Sequence, residues 1–99
     1  MPIEVEPAVK PKAANEELSI LCKALAHPVR VQILHLLRER RCLCGDLVDV
    51  LPVVQSTVSE HLRILKEAGL IHDEADGPRR HYGVNQRLLE RLKALIAAL

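Results

Sequence analysis

Residues 51–71, LPVVQSTVSEHLRILKEAGLI, leave this chain few ways to fold. Val58, Leu62 and Leu65 recur at i, i+4 and i+7, the period of a helix buried along one side. Gln55, Ser56, Ser59, Glu60 and Arg63 lie elsewhere on the circle. The spacing predicts an amphipathic helix whose first two turns offer hydroxyls, one amide and the His61 imidazole. Such groups donate and accept hydrogen bonds where an ordinary solvated face carries Lys and Glu, and they suit the edges of base pairs. A surface helix that is merely rich in Ser and Thr is the plainer reading of the same residues.

Ninety-nine residues make one domain, small enough for stability to depend on a partner subunit. About half the residues are apolar, yet the chain has no Phe, no Trp and one tyrosine, Tyr82, so its core is aliphatic. That argues against single-stranded nucleic acid held on stacked aromatics; double-stranded DNA needs no such platform. A formal net charge of +1 excludes a polycation. Phosphate binding then falls to local clusters, Arg38, Arg40 and Arg41 or Arg79 and Arg80. No apolar run approaches the roughly twenty residues of a membrane span, and the first residues do not read as a signal peptide. A cytoplasmic protein without membrane partners is expected. Three cysteines, an odd number, point to free thiols, metal ligands or redox sensors instead of a disulfide framework.

Taken in order, residues 1–13 contain Pro2, Pro7 and Pro11 and read as a flexible arm, with residues 14–99 as the folded domain. Asn15 is expected to cap a helix to about Leu25 whose buried face includes Leu18, Leu21, Cys22 and Leu25; Cys22 reads as a small buried residue. His27-Pro28 breaks the chain, and Pro28 opens a second helix to about Glu39, with Val31, Ile33, Leu34 and Leu37 on its apolar stripe and His35 at its margin. A short helix is expected over Asp46–Leu51, ended by Pro52. Gly69 suits the left-handed residue that closes the next helix. Strands on either side of Asp76-Gly77-Pro78-Arg79 make a β-hairpin with Arg79 and Arg80 at its tip, in reach of a phosphate or a minor groove. Asn85 then caps a last helix bearing Leu88, Leu92, Leu95 and Leu99, widened by Leu89 and Ile96.

The predicted fold class is α+β, mainly α: a winged helix-turn-helix with a β-hairpin wing. The first and last helices carry more apolar surface than one small domain covers. Pairing them between two copies gives a two-fold homodimer reading a pseudo-palindromic DNA operator, with half-sites roughly 34 Å apart.

Three runs carry a family resemblance: Ala24–Leu34 (ALAHPVRVQIL), Cys42–Leu47 (CLCGDL) and Gln55–Ile71 (QSTVSEHLRILKEAGLI). Together they resemble the ArsR/SmtB family of bacterial metal- and metalloid-responsive repressors, over about Leu18–Leu95. The resemblance implies a homodimeric winged-helix repressor that leaves its operator when an inducer binds. It also implies that Gln55, Ser56, Thr57, Ser59 and His61 enter the major groove and that the wing segment from Gly77 to Arg80 touches flanking DNA; Arg63, on the same helix, is a further expected DNA-binding residue. Glu60 departs from that pattern: a carboxylate near phosphates is repulsive unless it accepts from a cytosine amino group or pairs with Arg63.

Cys42 and Cys44 bear on the inducer. On a helix, residues i and i+2 project about 200° apart and share no ion; in an extended segment they point to one side. An extended Cys42–Cys44 segment, with Arg40, Arg41 and a following helix start favouring thiolates, suits a soft ion. Trivalent arsenic or antimony leads, with Zn or Cd possible. The resemblance supports arsenite, since arsenic-responsive members carry a Cys-x-Cys pair here. Gly45 follows the pair, as in a variant with a second Cys-Tyr-Cys in the last wing strand, where this chain reads His81-Tyr82-Gly83. His81 and Cys22 are the competing third ligands. The last helix lacks the Asp and His ligands of zinc-sensing relatives. Rival readings are a thiol-redox or persulfide-sensing repressor bridging Cys42 to Cys22, and a dimeric protein-interaction module without DNA binding. No nucleophile, base and orienting group come together, so no enzyme is expected.

Overall fold

The computed structural model describes residues 12–39, 42–43, 47, 51 and 53–99. In chain order these form α1 (Lys12–Leu25), α2 (Pro28–Glu39), β1 (Cys42–Leu43), α3 (Gln55–Glu67), β2 (Ile71–Asp76), β3 (Arg79–Val84) and α4 (Gln86–Ala97). Helices dominate and a β-hairpin follows α3, as the periodicities predict. None of the described helices taken singly is long and apolar enough to cross a membrane. Most of the expected arm, together with Arg40, Arg41, Cys44, Gly45 and Asp46, lies outside the described residues.

α1 starts at Lys12, three residues before the expected cap, so Asn15 sits inside the helix. Ala13 and Ala14 have the highest helix propensity of any residue and extend the helix backward. α1 and α2 meet at 93°. The break is made by His27, whose carbonyl accepts the Val31 amide (3.1 Å) and whose Nδ1 accepts the Val29 amide (3.0 Å). His27 is therefore the N-cap of α2, with Pro28 at the first helical position, where its missing N–H costs nothing. Of the short helix expected at Asp46–Leu51, Leu47 is helical and only 1% exposed, and its carbonyl accepts the Leu51 amide at 2.9 Å.

The core is aliphatic, as a chain without Phe or Trp requires. Leu21 and Ala24 from α1, Ile33, Leu34 and Leu37 from α2, and Val58, Leu62 and Leu65 from α3 interlock with Leu47, Leu51, Leu70, Ile71, Leu89 and Leu92. Four residues of the predicted stripes are exposed outside it: Val31, Cys22 and, at the end of the chain, Ile96 and Leu99. Val31 is exposed because Ile33, Leu34 and Leu37 set the buried face of α2 and leave residue 31 at its edge; the same period turns Arg30 inward. Cys22 is exposed, not buried, because Leu21 and Ala24 place the centre of the buried face of α1 on the other side.

α3 ends in a two-bond glycine cap. The Leu70 amide donates to the Leu65 carbonyl (3.0 Å) and the Gly69 amide to that of Lys66 (2.9 Å), with Gly69 at φ 87°. The chain then enters a three-stranded antiparallel sheet ordered β1-β3-β2. Gly77 at φ 60° followed by Pro78 matches a turn that requires positive φ at its first central residue and accepts proline at its second. Asn85 ties the sheet to α4. Its Oδ1 accepts the Leu88 amide (3.2 Å) and its Nδ2 donates to the Gly69 carbonyl (3.0 Å).

Candidate nucleic-acid interface

α3 begins abruptly. Val54 precedes it in an extended conformation, its carbonyl accepts the Thr57 and Val58 amides at 3.0 Å each, and it offers no side-chain cap. Val54 thus sets no side-chain oxygen at the positive end of the helix dipole. Gln55, Ser56 and Ser59 are exposed on the outer face and Thr57 is half-buried. The buried stripe of Val58, Leu62 and Leu65 orients that face, since a helix packed along one side can present only the other.

His61 does not join the outward group. It is 7% exposed; its Nδ1 lies 3.2 Å from Arg30 Nη1, and its ring centroid lies 4.3 Å from that of His27. The position of this imidazole in the first two turns predicts a base-reading group. It turns inward because residue 61 borders Val58, Leu62 and Leu65 on the circle, and Arg30 supplies the hydrogen bond that burial of a polar ring demands. Burial pushes its pKa below the ordinary histidine value, and His27 and Arg30 push it further; Glu60 opposes them.

Arg63 is exposed but engaged. Its Nε donates to both Glu60 oxygens (3.1 and 3.2 Å) and its Nη1 to Glu67 Oε2. The hydrogen bond from Arg63 holds the Glu60 carboxyl below its usual range. The Glu60 charge is thus answered within the helix, at an i, i+3 spacing. Two carboxylates on one guanidinium leave this patch net negative, so Arg63 reaches a phosphate only by leaving them.

The wing lies beside α3. Arg79 is exposed at its tip, and Arg80 Nη1 donates to Asp73 Oδ2 at 2.8 Å. Lys66 of α3 approaches the same carboxylate, Nζ to Oδ1 at 3.0 Å. Asp73, its side chain only 10% exposed, braces the wing to the helix. The hydrogen bond from Lys66 and the two nearby positive charges hold its carboxyl below the ordinary aspartate range. Ser59, Lys66, Asp73, Arg80 and Tyr82 line a notch of about 270 Å³ between the two elements. Two cations on one aspartate leave the notch net positive where Ser59 faces outward. Lys66, Asp73 and Arg30 escaped the sequence reading because their partners are 7 to 31 residues away; the one available signal was a carboxylate in a short strand beside a basic tip.

Of the candidate ligands, Cys42 lies on β1, opposite Tyr82 in β3. His81 falls opposite Leu43, one position off, and alternation along β3 puts positions 81 and 82 on opposite faces of the sheet. His81 Nε2 instead lies 2.9 Å from Asp76 Oδ2. Cys22 is a free thiol exposed on α1. Cys44 lies outside the described residues, among which no three His, Cys, Asp or Glu side chains gather as a metal cluster.

Comparison with known proteins gives concordant results. Residues 27–73 match the model of the bacterial regulatory protein, arsR family. The chain is 44% identical over 71 residues to the HTH-type transcriptional repressor SmtB of Mycobacterium tuberculosis, covering 72% of this chain and 53% of that protein, and so spans about half its length. It is 32% identical over 96 residues to the biofilm growth-associated repressor of Agrobacterium fabrum, covering 93% of this chain and 80% of that one. A solved structure titled possible transcriptional regulator for arsenical resistance superposes with a TM-score of 0.73 at 33% identity, over 80% of this chain and 81% of its own.

Proposed function

Because the chain belongs to the arsR family of bacterial regulatory proteins, we propose that it is a DNA-binding transcriptional repressor released from its operator by a thiophilic ion at Cys42 and Cys44. Arsenite or antimonite is favoured over zinc and cadmium. The observation that carries the DNA reading is the outward face of Gln55, Ser56 and Ser59 set beside a wing with Arg79 at its tip. Ser and Gln side chains reach base edges, while the uncapped start of α3 and the net-positive notch at Lys66 and Arg80 meet backbone phosphates. A homodimer through α1 and α4 places two such faces on one operator. Ile20, Ile96 and Leu99, exposed by 56, 47 and 89%, supply apolar surface for that pairing.

Two features support the inducer reading. Cys42 lies on an extended strand, and two cysteine thiolates form a soft donor set. The strand carrying Cys42 pairs with β3, which carries Arg80 and the notch. A shift of β1 on ligation therefore passes through one strand to the Asp73 brace and α3. An ion held by Cys42 and Cys44 would supply soft-ligand binding at β1, and the chain itself supplies the contiguous route from β1 through β3 to α3.

The deciding experiment is fluorescence anisotropy of the reduced protein on DNA from its own promoter, at two salt concentrations, titrated with arsenite and separately with zinc. Salt-sensitive binding reversed by near-stoichiometric arsenite, and not in Cys42→Ser, supports the proposal. Binding that neither ion reverses transfers the trigger to thiol oxidation or persulfide, a reading favoured by the exposed thiol of Cys22. Absence of salt-sensitive binding points to a protein-docking module.

A further inference from the structure

Three groups meet behind the outward face of α3, and the DNA reading uses none of them. Arg30 Nη1 contacts His61 Nδ1 at 3.2 Å, Arg30 Nε donates to the Ala24 carbonyl at 2.6 Å, and the rings of His61 and His27 lie 4.3 Å apart at 49°. A guanidinium has donors and no acceptor, so His61 Nδ1 must present its lone pair and carry its proton on Nε2. His27 Nδ1 receives the Val29 amide, which equally demands a lone pair there. Both imidazoles are thus used in their neutral form. One caps α2, and the other receives a side-chain hydrogen bond that joins α2 to α3.

We infer that His61 is the positioning residue of the DNA-binding surface, anchoring α3 to the start of α2 through a neutral imidazole, and that acid lowers operator affinity by releasing that anchor. A proton added at Nδ1 replaces an acceptor with a donor, turns the Arg30 contact into donor against donor, and sets a second positive charge beside the guanidinium. The charged and titratable groups facing the ring are His27 and Arg30 from the start of α2 and Glu60 from its own helix; α1 contributes the Ala24 carbonyl through Arg30. Only Glu60 favours the imidazolium, and Glu60 is already paired with Arg63. Ser59, two residues away on the outward face, moves with the backbone that His61 holds.

The inference rests on the DNA reading for its output, and the test separates the two. Operator affinity is measured by anisotropy from about pH 8 to about pH 5 at constant ionic strength, for the wild type and for His61→Asn. The Asn amide oxygen replaces Nδ1 as the acceptor for Arg30 and does not titrate. The wild type should lose about tenfold in affinity across that window relative to its own value at the alkaline end, and His61→Asn at most about threefold. Equal pH profiles overturn the inference. In parallel, NMR of the wild-type imidazoles without DNA should find His61 as the Nε2–H tautomer, with α3 amide shifts following its titration. An Nδ1–H tautomer, or an α3 unmoved by that titration, overturns the anchor even if no DNA sequence binds. DNA that does not bind at any pH removes the repressor reading and leaves the NMR arm to decide.

Discussion

Gly69 and Ser59 show how much one position can carry in opposite senses. At φ 87° Gly69 closes α3, and a Cβ there would lie 3.0 Å from Leu88 Cδ2. Gly69→Ala therefore meets left-handed strain and a contact at the junction with α4. It should cost about 1–2 kcal/mol in urea denaturation, against almost nothing for an ordinary exposed Gly→Ala. Ser59→Ala should leave stability within about 0.5 kcal/mol, because the residue is exposed, and weaken operator binding by about 1–3 kcal/mol. Unchanged anisotropy would remove this face from the groove. His61 adds a pH dependence to the fold. Its folded pKa lies below the ordinary histidine value, so the folded state binds this proton more weakly than the unfolded chain. The stability it contributes is complete above the ordinary histidine range and lost as pH falls through the folded pKa. Thermal midpoints of the wild type should drop over that interval more than those of His61→Asn.

Among the elements, the wing is held by charge and α4 by a cap. Asp73 binds Lys66 from α3 and Arg80 from β3, so Asp73→Ala frees two cations and loosens the wing. The expected outcome is binding to unrelated DNA that gains strength at low salt, with a salt slope steeper by about one, while discrimination for the operator falls. A slope equal to that of the wild type would mean that the brace does not modulate phosphate contact. The pairing is half-exposed on its cationic side, so its worth in stability is small. α4 depends on Asn85, which caps it and also reaches back to the Gly69 carbonyl. One side chain thereby couples the ends of α3, the sheet and α4.

For the whole molecule the open quantity is the apolar surface of α1 and α4. Leu89 and Leu92 of α4 are buried in the protomer, whereas Ile96 and Leu99 are exposed. Ile96→Glu sets a charge on the proposed pairing face and leaves the protomer core untouched. Self-association should weaken by about 2–3 kcal/mol in sedimentation velocity, and operator affinity should fall with it, because two half-sites are then bound independently. A variant that sediments as the wild type would remove this face from the proposed pairing.

Element order, the aliphatic core, the glycine that ends α3, the Asn85 cap and the hairpin were all legible in the chain. Each rests on local chemistry or on a period of two or 3.6 residues, which neighbouring residues alone express. Helix edges were less so: α1 begins at Lys12 because alanines extend it past an asparagine that reads as a cap. The outward Gln55, Ser56 and Ser59 followed from the stripe of Val58, Leu62 and Leu65. His61 did not, since a residue at the border of a stripe turns inward only if a distant donor satisfies it, and Arg30 is 31 positions away. The same limit hid His27 as a cap, Asp73 as a brace and the exposure of Cys22. Periodicity names a buried face, but its centre, and hence the fate of every residue at its margin, is set by which other helices pack against it.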